Sequence, residues 1–171
     1  MKLNLGCGHK HLPGFVNVDL PDNWSKLRPD VEADITKPLP FDDGVADEVH
    51  AYHVLEHIWH WQVYDVLQDW CRVLKPGGRL VLEMPCLDKV LHLMLYAVQA
   101  KQPIEPQLSM WALYGDPRYK SDAMTHKWCY GQNELTGLLK ELGLSNIQIL
   151  EPQTHVAIRD MRAEATKGEP A

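Results

Sequence analysis

The sequence predicts an α/β fold, a mostly parallel sheet covered by helices on both faces, and three observations carry that expectation. Short apolar runs alternate with segments of helical periodicity along the chain, the order that builds strand–crossover–strand units. The first apolar run, Leu3 and Leu5, passes directly into Gly6-Cys7-Gly8. The second, with Phe15, Val16 and Val18, ends on a carboxylate, Asp19.

Strands are expected at 3–5 and 15–18. Residues 22–30, with Pro21 and Pro29 around them, read as a loop with room for one helical turn. A short strand at 31–35 belongs at the sheet edge. Asp42-Asp43-Gly44 is a turn before a strand at 46–52. Residues 59–74 place apolar side chains at 63, 67, 70 and 74, one helical face. Pro76-Gly77-Gly78 stops that helix, 79–84 is a strand, and Pro85 is its exit. A helix follows at 88–99, and another at 132–142 with Leu135, Leu138, Leu139 and Leu142 on one side and Gly143 as its stop. The last strands are 146–150 and 161–166, and 167–171 is a frayed tail. Residues 101–130 fit no element. Their aromatic residues, among them Trp111, Tyr114, Tyr119 and Trp128, favour a lid or substrate wall over disorder.

A chain of 171 residues reads as one domain, 1–171, long enough to bury a core. A formal charge of -6 and a pI near 5.8 argue against general nucleic-acid binding. Met1-Lys2 leads straight into the first strand, which leaves no place for a signal peptide. The longest apolar stretch, 90–98, is broken by His92 and too short to span a bilayer. Cys7, Cys71, Cys86 and Cys129 have no C-x-x-C spacing, so a reduced, cytoplasmic protein is expected.

Glycines after the first strand let the backbone approach a ligand, and a carboxylate ending the second can accept from two ribose hydroxyls. The dinucleotide fingerprint G-x-G-x-x-G is not met, because His11 stands where its third glycine belongs and Pro13-Gly14 leaves no room for a long helix. A ligand with ribose and adenine but no phosphates fits better, and S-adenosylmethionine is the commonest of these.

Two later segments make the pattern specific. Pro38-Leu39-Pro40-Phe41-Asp42-Asp43-Gly44 through Tyr52-His53-Val54-Leu55-Glu56-His57, and Arg72-Val73-Leu74-Lys75-Pro76-Gly77-Gly78-Arg79-Leu80, stand at the expected distances behind L-G-C-G. Together they resemble the type-11-like group of class I S-adenosylmethionine-dependent methyltransferases, closely over 2–85 and loosely over 124–166. The resemblance implies a Rossmann-like three-layer sandwich whose last strand is antiparallel, and methyl transfer from S-adenosylmethionine, with S-adenosylhomocysteine as product. It departs from the group in lacking an N-terminal helical extension over the pocket and a long first helix, and in the composition of 101–130. The uncovered pocket leaves a homodimer partner as one way to close it. The acceptor expected is a small molecule or glycan.

The resemblance places Leu5, Gly6, Cys7 and Gly8 at the methionine part of the cofactor, Asp19 and Leu20 at the ribose, and Asp34 and Ile35 at the adenine. Tyr52, His53 and Val54 come beside the sulfonium, chiefly through main chain. Asp19 could instead cap the next turn, and Asp30 or Asp42-Asp43 could take the adenine role from Asp34. Glu56 either serves catalysis or meets a helix dipole. His126 is the first candidate for a general base, with His53 and His57 behind it; the rival role for His126 is that of a lid residue. No metal is expected: His50, His53, His57 and His60 should diverge, and Cys7, His9 and His11 make a poor zinc set. Two rival functions remain, a non-catalytic S-adenosylmethionine-binding accessory module and a nicotinamide enzyme on the same sheet.

Overall fold

Seven strands run in the order β3-β2-β1-β4-β5-β7-β6 through one sheet of a computed structural model, which describes residues 1–21 and 28–168. The strands are β1 Lys2–Leu5, β2 Val16–Asp19, β3 Val31–Glu32, β4 Ala46–Tyr52, β5 Leu74–Pro85, β6 Leu144–Leu150 and β7 Asp160–Lys167. The first five pair in parallel, whereas β7 runs antiparallel to both β5 and β6. The antiparallel last strand therefore stands as expected. The helices are α1 His60–Val73, α2 Leu87–Gln99, α3 Met110–Tyr114 and α4 Gln132–Glu141.

The core follows from the burial of strands on both faces. Leu3 and Leu5 of β1, Val49 and Ala51 of β4, and Leu80, Val81 and Leu82 of β5 are almost wholly excluded from solvent, which is why these runs read as continuous apolar segments. Helix α1 turns Val63, Val66, Leu67 and Trp70 inward. The Trp70 indole N–H donates to the Ile35 carbonyl at 3.0 Å, so a large core residue also fixes the chain leaving β3.

Four expectations need correction. Pro76-Gly77-Gly78 does not separate helix from strand, because β5 begins at Leu74. Ala46 pairs with Leu74 and Glu48 with Arg79, so the glycines form an excursion within β5, with Gly77 at φ +73°. β3 is only two residues long. Residues 101–130 are not without structure: α3 and three short 3-10 turns lie there. The tail begins later than expected, since Lys167 closes β7. Residues 22–27 of the expected 22–30 loop, and 169–171 of the tail, lie outside the described residues. No helix intervenes between β1 and β2, as the crowded Pro13-Gly14 suggested.

Candidate functional site

β1 has β2 on one side and β4 on the other, so the chain reverses its direction of progress across the sheet at this point. Crevices outside the C-terminal ends of strands at such a switch are where open α/β sheets bind ligands. Gly6 lies at its base, at φ +65°, and its amide donates to Val18 O at 2.9 Å. A Cβ at Gly6 would sit 2.5 Å from Val54 Cγ2 and 3.2 Å from Ile35 Cδ1. Three segments far apart in sequence thus converge on one glycine. Gly8, at φ +50°, has open space where its Cβ would be, and its amide donates to Asp19 Oδ2 at 2.7 Å. The other Asp19 oxygen accepts from the Leu20 amide at 2.7 Å.

The remaining acidic candidates separate by their partners. Asp30 accepts from the Asn17 amide and side chain at 2.8 and 2.9 Å, and Asp43 pairs with Arg72 at 2.7 Å. Asp34 accepts from the Thr36 amide and hydroxyl, and the hydroxyl bond holds its carboxyl below the usual range. Its position next to Ile35 is the one that borders Gly6. Tyr52 turns its hydroxyl to His50 Nδ1 at 2.8 Å; its side chain serves the sheet.

His53 departs from the role of base. Its backbone is left-handed, φ +53°, and its amide donates to Glu83 O. The ring is held between Glu56 Oε1, 2.9 Å from Nδ1, and Asp160 Oδ2, 3.4 Å from Nε2. Burial alone would lower its pKa, but these two carboxylates raise it to about 9. A ring already protonated at neutral pH accepts no proton. Around it lies a buried charge network that the sequence reading missed: Glu83 accepts from Arg162 Nη1 at 2.8 Å and from the Gln153 and Thr154 amides, while Asp160 accepts from Arg159. Glu83 and Asp160 have no exposed surface. One cue was available, a glutamate inside the apolar run Leu80-Val81-Leu82-Glu83-Met84, since a charge in a buried strand demands a partner.

Residues 125–128 fold back over the exit of β4. The Lys127 and Trp128 amides both donate to Glu56 O, at 2.7 and 3.3 Å, and Lys127 Nζ donates to His57 O at 2.8 Å. The His57 and His126 rings meet edge to face with centroids 4.8 Å apart. His126 Nδ1 donates to Ala112 O at 2.8 Å, so in this tautomer Nε2 is the ring's acceptor. Burial lowers the pKa of His57, so this ring is neutral at pH 7. Glu56 is not at the start of a long helix. It lies in a 3-10 turn, Leu55–His57, ahead of α1, and is wholly buried, so a helix dipole is no account of it. The insertion encloses a cleft of about 440 Å³ lined by Met110, Trp111, Tyr114, Lys120 and Met124, with Arg118 packed over the Trp111 ring at 4.6 Å.

Residues 3–82 match a family model described as a methyltransferase domain. Over 97% of its length the chain superposes on a S-adenosylmethionine-dependent methyltransferase from Archaeoglobus fulgidus, covering 85% of that chain, with TM-score 0.63 and 16% identity. A methyltransferase of the same description from Methanosarcina mazei gives 0.63 and 18%, covering 98% and 92% of the two chains. Human N-acetylserotonin methyltransferase, solved with S-adenosylmethionine, gives 0.60 and 19% over 98% of this chain and 47% of that one. No curated protein matches significantly.

The chain has the fold of these S-adenosylmethionine-dependent methyltransferases, and its first half carries the match to a methyltransferase domain. Among the described residues no helix is long and apolar enough to cross a membrane.

Proposed function

We propose that this chain, read as a single domain over 1–171, is a methyltransferase that uses S-adenosylmethionine and transfers its methyl group to a small-molecule or glycan acceptor held at the insertion cleft. The observation that supports this best is the convergence of Gly6, Ile35 and Val54 at the switch point, with the Asp19 carboxylate fixed beside it by the Gly8 amide. The residues present suit the cofactor. Leu5, Gly6, Cys7 and Gly8 offer main chain for the methionine part. Asp19 has carboxylate lone pairs beyond the two it uses on Gly8 and Leu20, with the Leu20 main chain beside it. Asp34 and Ile35 offer an acceptor and an apolar face for adenine, and Tyr52, His53 and Val54 offer the strand end.

When bound, S-adenosylmethionine supplies a methyl carbon already activated by positive sulfur. The chain's main contribution is then alignment, on the order of 7–11 kcal/mol in well-oriented systems. Trp111 and Tyr114 give the cleft flat apolar surface for a sugar or phenol ring. His126 carries a free Nε2 lone pair and borders the cleft through Thr125 and Tyr114. It is the group placed to hold or take the proton of an acceptor hydroxyl, with neutral His57 against it.

Calorimetry with S-adenosylmethionine on the wild type and Asp19→Ala tests the cofactor half. Saturable binding weakened about 10–100-fold in the variant is the expected result; equal affinity in both would remove the assignment. Incubation with nucleotide sugars and phenols, read as S-adenosylhomocysteine formed, tests the acceptor half. Tight cofactor binding without product from any acceptor would favour an accessory binding module.

A further inference from the structure

Two groups of metal-ligating side chains lie at the C-terminal edge of the sheet, and they differ in whether their carboxylates are already satisfied. His53, His155 and Asp160 bring their ligating atoms within 4.8 Å of one another. There Asp160 accepts from Arg159 and from the Val156 amide, and Lys10 Nζ lies 2.9 Å from His155 Nε2. That group's lone pairs are committed.

Glu56, His57 and His126 also bring their ligating atoms within 4.8 Å. Glu56 has no exposed surface, and its Oε2 meets no donor among the described residues. His53 Nδ1 pairs with the other oxygen, Oε1, at 2.9 Å. A buried carboxylate oxygen with no donor is costly, and in folded proteins it marks a place where a water or an ion belongs. Both histidines donate Nδ1–H to main-chain carbonyls, His57 to Thr125 O at 3.2 Å and His126 to Ala112 O at 2.8 Å. That tautomer puts the lone pair on Nε2, and a second hydrogen bond of this kind is what orients a histidine toward a metal. The two rings are only partly buried, so an ion can reach the buried carboxylate from solvent.

We propose that Glu56, His57 and His126 form a binding site for one divalent transition metal ion of the Zn²⁺ class. Two imidazoles and a carboxylate are a donor set that leaves a coordination position open. Ligand atoms around tetrahedral Zn²⁺ lie about 3.4 Å apart, so rotation of the two partly exposed rings completes the set. The site joins the exit of β4 to the insertion, a pairing that no spacing in the sequence displays. Its existence does not depend on methyl transfer, but its role rests on that reading. With the ion bound, an acceptor hydroxyl at the open position becomes more acidic and releases its proton to water while His126 acts as ligand; without the ion, His126 Nε2 keeps the role of base.

The test uses the full chain stripped of metal, titrated with Zn²⁺ by calorimetry and with Co²⁺ by its visible absorption. The expected result is one ion per chain. His57→Ala and His126→Ala, both at partly exposed positions, should each weaken it by about 10–100-fold or more. Glu56→Gln should abolish it. No saturable one-to-one binding, or wild-type affinity in both histidine variants, would overturn the site, because the remaining surface histidines would then account for any uptake. Calorimetry with S-adenosylmethionine on the same metal-free samples keeps the two readings apart. Cofactor binding without metal binding removes only the metal, and the reverse removes only the methyl-transfer role.

Discussion

The crevice at β1 and β4 is made of strand ends and main chain, whereas the insertion wall at 101–130 is made of short turns tied down by distant partners. In the crevice, Gly6 and Val18 are neighbours through sheet pairing that repeats over whole strands, and Val54 follows directly on β4. At the wall, His126 is placed by single bonds to Ala112, Tyr114 and, through Lys127 and Trp128, to Glu56. The difference teaches where tolerance lies. Main-chain architecture survives most side-chain changes, while a surface held by a few contacts changes its function with each of them.

Breaking the buried charges under both regions should have the largest effect. Glu83→Ala leaves buried Arg162 with Glu164 alone and strips the Gln153 and Thr154 amides of their acceptor, which costs about 3–5 kcal/mol, read as a lower denaturation midpoint. A midpoint unchanged within error would show that the network carries no stability. Next, His126→Ala should reduce kcat on the order of 100-fold or more while leaving S-adenosylmethionine affinity at its wild-type value. An equal loss in both would place His126 in the crevice rather than the wall. Asp19→Ala should weaken cofactor binding about 10–100-fold, the worth of one or two hydrogen bonds to a charged group, with the fold intact by circular dichroism. Trp111→Ala should raise the acceptor KM by about 2–10-fold, with kcat little changed; a KM that does not move sinks the aromatic wall.

The smallest effect lies at the opposite end of β4. Burial alone would raise the Glu48 pKa, but Lys2, Arg79 and His50 outweigh it and hold the carboxyl at about 2, against 4.5 ordinarily. The unfolded chain takes up its proton first. Glu48 therefore adds stability that is complete above pH 4.5 and disappears as pH falls toward 2. Thermal unfolding from pH 7 downward should show that decline, and Glu48→Gln should flatten it within that window.

Much of the crevice was legible in the sequence because its signals are local. The run 46–52 is β4 with unchanged bounds, and the glycine turn and Asp19 sit at the strand ends their order implied. Gly77 misled, because a left-handed glycine serves an excursion within a strand as well as a helix stop. The wall was legible only as a composition. The contact of His126 with His57, and the loss of solvent around Glu56, arise from bonds between residues far apart in the chain. Nothing in a spacing of histidines shows which of them a later loop will cover. The charges on Glu83, Asp160 and Arg162 gave one cue, and its partners were beyond reach.

The Glu56 carbonyl receives two amides from the insertion while its side chain lies under the exit of the strand beside Val54. An outward swing of that loop would release both amides at once, so an acceptor admitted that way would disturb the turn that follows the proposed cofactor crevice. Occupancy of the two proposed halves would then be linked, and by thermodynamic reciprocity each ligand would alter the other's dissociation constant by one shared factor.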